Sequence, residues 1–191
     1  MTIKITLKVT AVIAVLTFAT FFITTSGFSS LMIGPSSIST ASAQTQPKYF
    51  DAKLTGKDEV PSKDTKATGM AGFNVIGTSS LSYNVNVTNM QKVTASHIHQ
   101  GKAGQNGPVI VTLFKTNTPS ANTNGLLSKG TITSTNLEGP LAGKQIKDLI
   151  SMIKSGDAYV NVHTEANPKG EIRGQLSPCS TKIYNNTFKS K

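Results

Sequence analysis

The 191-residue chain has one cysteine, Cys179, and no tryptophan. A single thiol excludes an internal disulfide, so any folded domain here is held by its core and not by covalent staples. With aromatic residues at 6%, that core must be built from Val, Ile and Leu with a few Phe and Tyr. Acidic residues are also scarce, 9 in all, and no paired-carboxylate pattern stands out among them. There is no Gly-x-Ser-x-Gly, no phosphate-binding loop, no Gly-x-Gly-x-x-Gly and no histidine close to Cys179. Familiar nucleophilic hydrolases and nucleotide-binding enzymes are thereby disfavoured. An enzymatic role is not excluded, but none is signalled.

What is present begins with charge. The net charge is +10. Without Lys4 and Lys8, 17 basic residues still face 9 acidic ones, an excess of +8. The lysines are scattered, with no run of five or six and no interleaved aromatics. Nucleic-acid binding, whose footprint is clustered, is therefore not expected. An extracellular protein or an anionic surface is the partner class that remains.

The N-terminus carries export chemistry. Lys4 and Lys8 flank the uncharged apolar stretch Val9 to Ile23, and Ala41-Ser42-Ala43 supplies small residues suited to cleavage. Residues 1–43 read as a signal peptide or, uncleaved, as a membrane anchor, since the apolar character runs from Ile5 to Ile33. With the lysines inside, both outcomes put the rest of the chain outside the cytoplasm or on the outer face of its membrane. Two Asn-x-Thr sequons, at Asn86 and Asn185, permit glycosylation there.

From Lys48 onward, short alternating segments recur between turn residues. The clearest is Leu81, Tyr83, Val85 and Val87 against Ser82, Asn84, Asn86 and Thr88. Others are predicted at 50–54, 70–76, 93–99, 109–114, 130–135, 158–163 and 172–176, with a polar loop at 115–124. Apolar residues at 146, 149, 150 and 153 break the pattern and predict one short helix over 145–154, stopped by Gly156. The expected fold is an all-β antiparallel sandwich or barrel of about eight strands, of Greek-key or superoxide-dismutase-like type, spanning 48–176. Residues 177–191 are expected to be a poorly ordered basic tail.

All three histidines fall in two places, His97-Ile98-His99 and His163. Residues i and i+2 of a strand share a face, so His97 and His99 project together. His163 lies on the opposite face of its strand from Val160 and Val162. Three converging imidazoles suit copper or zinc. The plainer alternative is that these rings brace the loops after them, 101–107 and 164–170. Glu171 and Arg173 form a second i, i+2 pair. Their expected role is a structural ion pair, or else Glu171 orients a histidine and Arg173 draws in a small anion.

Ala95-Ser96-His97-Ile98-His99-Gln100-Gly101, Gly104-Gln105-Asn106-Gly107-Pro108-Val109, Tyr159-Val160-Asn161-Val162-His163-Thr164 and Asn167 to Leu176 together resemble the CHRD domain family. Leu54-Thr55-Gly56 and Glu59-Val60-Pro61 fit its start. The resemblance covers about Lys48 to Leu176. It implies an all-β domain in an exported protein, acting as a non-enzymatic binding or structural module at the cell surface. The cysteine-rich modules of chordin, for which the family is named, are not present in this sequence. A weaker likeness is to copper/zinc superoxide dismutase, in which His97, His99 and His163 would hold a single copper. That likeness implies a redox or metal-handling protein, although there is no fourth histidine to bridge a second metal.

Overall fold

The computed structural model describes residues 47–189. The N-terminal apolar segment, and with it the choice between cleavage and anchoring, lies outside the described residues. No helix among those described is long and apolar enough to cross a membrane.

Nine strands follow in chain order: β1 (Tyr49–Thr55), β2 (Thr68–Ile76), β3 (Ser80–Met90), β4 (Val93–Gln100), β5 (Val109–Lys115), β6 (Thr123–Ile132), β7 (Ala158–Thr164), β8 (Ile172–Gln175) and β9 (Ser177–Cys179). Helix α1 (Ile146–Lys154) joins β6 to β7, and α2 (Thr181–Tyr184) follows β9. The strand order is β5-β4-β7-β8-β1-β2-β3-β6, with β9 added to β1 and every pairing antiparallel. The sheet curls into a nearly closed barrel. Tyr83 on β3 donates to the Leu113 carbonyl on β5 at 2.8 Å, tying one end strand of the sheet to the strand next to the other end.

Period-two patterning builds the interior. Leu81, Val85 and Val87 of β3 are buried, as are Phe50, Ala52 and Leu54 of β1 and Val160 and Val162 of β7. Helix α1 adds Ile146, Leu149 and Ile153 to the same core. Asp148 accepts from the Gln145 amide at 2.8 Å at its start. Gly156, with φ of 75°, leaves the helix in the left-handed region that favours glycine.

Two expectations are corrected. Of the strand expected at 130–135 only 130–132 is strand, the end of a longer one: β6 begins at Thr123, inside the stretch read as loop, and Ser134–Asn136 form a single 3-10 turn. Gly125, Gly130 and two register irregularities against β3 hid its alternation. Of the tail expected to be poorly ordered, residues 177–189 are structured. β9 pairs with β1, Tyr184 is buried, and its ring lies 4.6 Å from that of Tyr49.

One feature of the barrel positions the site. An antiparallel strand with alternating character usually leaves one face in water. In β7 every residue is buried, including Tyr159, Asn161 and His163 on the face away from the core. The outside of β4, β7 and β8 is roofed by the loops 101–107 and 164–171 and by the connection from β1 to β2.

Candidate metal centre

β4 carries His97 and His99 on its outer face, and β7 runs beside it in the register Ala95↔His163, His97↔Asn161, His99↔Tyr159. That register sets His163 diagonally next to His97. The ring centroids are 4.9 Å apart for His97 and His163, 5.6 Å for His97 and His99, and 6.1 Å for His99 and His163. One nitrogen from each ring lies within 4.8 Å of the others. A tetrahedral metal with bonds of about 2.0–2.1 Å sets its ligand atoms about 3.3 Å apart, so small ring movements would close the set.

Hydrogen bonds decide which nitrogens are available. His99 Nδ1 donates to the Gly107 carbonyl at 2.8 Å, and His163 Nδ1 donates to the Pro168 carbonyl at 3.1 Å. A carbonyl can only accept, so the single proton of each neutral ring is fixed on Nδ1 and each Nε2 presents a lone pair. His163 Nε2 meets His97 Nδ1 at 3.0 Å. His99 Nε2 is buried and has no hydrogen-bond partner. The rings do brace the two loops, and by spending only one nitrogen each on that task they leave the other for a metal.

Electrostatics keeps the cluster neutral. Burial, then the charges of His163, His99 and Lys115, push the His97 pKa down to about 4. Burial also lowers His99 and His163, more than their bonds to Gly107 and Pro168 raise them. Neutral imidazole is the form that binds a metal.

The loop over His99 depends on a buried arginine. Arg173 is 1% exposed, and its guanidinium lies 3.4 Å from the centre of the Tyr159 ring. That ring stacks on His99 at 5.0 Å and 9°. Arg173 donates from Nη1 to Asn106 Oδ1 at 3.2 Å, and from Nη2 to the carbonyls of Lys102 at 3.0 Å and Gln105 at 2.7 Å. The Gly107 amide donates to the Tyr159 hydroxyl at 3.3 Å. A side chain at Gly107 would collide with the Gln100 carbonyl, so glycine lets the loop close tightly enough to present its carbonyl to His99.

The structure thus brings His97, His99 and His163 together, while Glu171 and Arg173 flank them. Glu171 accepts from the hydroxyls of Thr65 at 2.8 Å and Thr164 at 2.7 Å. It thereby pins the 164–170 loop, and the histidines are oriented by backbone carbonyls. Arg173 does not pair with Glu171; it bonds to Asn106 and to the carbonyls of Lys102 and Gln105 instead. Three residues escaped the sequence reading: Tyr159, Asn161 and Glu59. The first two share the outer face with His163 and were legible as its i−4 and i−2 neighbours. Glu59 is 6% exposed although it sits in a turn, and nothing in its local sequence signals burial.

A family model, that of the CHRD domain, matches residues 50–176, from within β1 to just past β8. No curated protein and no solved structure matches the chain.

Proposed function

The chain belongs to the CHRD domain family, and within it we propose an exported, cell-surface module built around one transition-metal ion, copper or zinc, held by His97, His99 and His163. The observation that carries this reading is the His99 ring. Its Nδ1 proton is committed to Gly107, and its Nε2 is buried with no partner. A buried lone pair without a donor is costly, and a cation between the three rings would relieve that cost. The donor set is three neutral nitrogens with no thiolate or carboxylate among them, which suits copper and zinc and not magnesium or calcium. Three protein ligands leave a fourth position open to a water or small ligand. The positive N-terminus, the apolar run and Ala41-Ser42-Ala43 support export.

The module is read as a metal-holding one. The test is metal content. The full chain, purified in mild detergent and offered copper(II) or zinc, is expected to retain one equivalent after desalting. His99→Gln and His163→Gln variants that keep the parent's circular dichroism are expected to retain far less. Equal and negligible metal in all three would end the proposal.

A further inference from the structure

Three imidazoles bind a divalent ion without neutralising it, and their surroundings add positive charge. The buried Arg173 guanidinium acts on His99, and the Lys115 ammonium on His97. A buried charge needs a partner of opposite sign. Two carboxylates lie under the roof. Glu171 has each oxygen occupied by a threonine hydroxyl. Glu59 does not: it is 6% exposed and its Oε1 has no hydrogen-bond partner.

The setting of Glu59 links it to the histidines. Its carboxyl lies over the α-carbon of Gly170, where any side chain would strike it. Gly170 is two residues beyond Pro168, whose carbonyl holds His163. On the other side Asn161 interacts with both Glu59 and His99. Asn161 is the register partner of His97 on β4 and of Arg173 on β8. Its Oδ1, like Glu59 Oε1 and His99 Nε2, is buried and makes no well-formed hydrogen bond. Three buried polar atoms on neighbouring side chains, none with a well-formed hydrogen bond, mark one incomplete polar cluster.

We propose that Glu59 is the counter-charge of the metal centre and makes the site prefer a divalent ion over a monovalent one. The proposal rests on the three-histidine reading and adds a specificity-determining residue outside the ligand set. Without a cation, burial outweighs Arg173, the Val60 backbone, Lys63 and Asn161 and holds the carboxyl pKa up at about 7. Lys57 and Asp58 line the same small cavity at the surface as Glu59 and Arg173. A divalent ion at the histidines would favour the charged carboxylate; a monovalent ion would do so less.

The test compares two charges of one element. Dissociation constants of the full chain for copper(II) and, under anaerobic conditions, copper(I) are measured at pH 8 by chelator competition. Wild type is set beside Glu59→Gln, which keeps shape and removes charge. Glu59→Leu is a second variant should the first fail to fold. Either folded variant is expected to lose copper(II) affinity by roughly tenfold or more, the range of outer-shell substitutions, with copper(I) little changed. Glu59→Asp is expected to restore part of the preference. Equal losses for both ions, or no loss for either, would overturn the counter-charge role while leaving the histidine site standing. No copper uptake by wild type would overturn both.

Discussion

His97 Nδ1 lies 3.0 Å from His163 Nε2, and the proton between them belongs to His97. The Pro168 carbonyl fixes the His163 proton on the far nitrogen, Nδ1, so His163 can only accept at Nε2. The metal-free cluster is thus closed by one imidazole donating to another. His97 is also the ring that lines a surface cavity, with Thr112, Lys115 and Glu138.

This arrangement predicts a tautomer change. A metal bound at His97 Nδ1 must displace that proton, and the neutral ring then carries it on Nε2. His99 and His163, held by Gly107 and Pro168, keep theirs on Nδ1. Nitrogen-15 spectra of the imidazoles, recorded with and without zinc, are expected to show His97 exchanging Nδ1–H for Nε2–H while the other two keep Nδ1–H. A His97 that keeps its Nδ1 proton in the zinc-loaded protein would contradict the assigned ligand atom.

The buried carboxyl of Glu59 predicts a pH dependence of the metal-free protein. Its pKa is raised from 4.5 to about 7. Between those values the folded state holds a proton that the unfolded chain has lost, so stability falls as pH rises through the window. The full change is on the order of 3 kcal/mol. His97 works in the opposite sense: its pKa falls from 6.5 to about 4. The unfolded chain therefore gains that proton first, and stability drops as pH falls from about 6.5 towards 4. Denaturant unfolding of wild type and Glu59→Gln at several pH values separates the two. The variant is expected to gain on wild type between about pH 4.5 and pH 7 and to level off above that. A difference that stays flat would show that Glu59 is not buried as described.

Arg173 is expected to act through the loop that it holds. Arg173→Lys removes the planar group that reaches Lys102, Gln105 and Asn106 and rests on Tyr159. Faster amide exchange confined to 101–107 is predicted, with metal affinity down by about 10-fold or more through the misplaced Gly107 carbonyl. Unchanged exchange in that loop would sink this role.

Much of the barrel was legible because alternation follows from burying one face of each strand. Leu81 to Val87 and the helix of Ile146, Leu149 and Ile153 were read correctly from period alone. β6 was shortened because Gly125 and Gly130 dilute its pattern and bulges shift its register. β9 was missed because backbone pairing with Tyr49, Phe50 and Asp51, not apolar burial, orders it. His97 and His99 were legible as a pair, since i and i+2 share a face. That His163 meets them depends on the register between β4 and β7, strands more than fifty residues apart in the chain. Glu59 and Arg173 were beyond reach as buried groups, because the roof over them is assembled from loops that sequence periodicity does not describe.

The most direct measurement is the metal content of the full chain after loading and desalting, read by elemental mass spectrometry beside a correctly folded His99→Gln variant. One equivalent of copper or zinc in the parent, with the variant nearly empty, is the predicted result. A parent that retains no metal under conditions where it is folded would contradict the account.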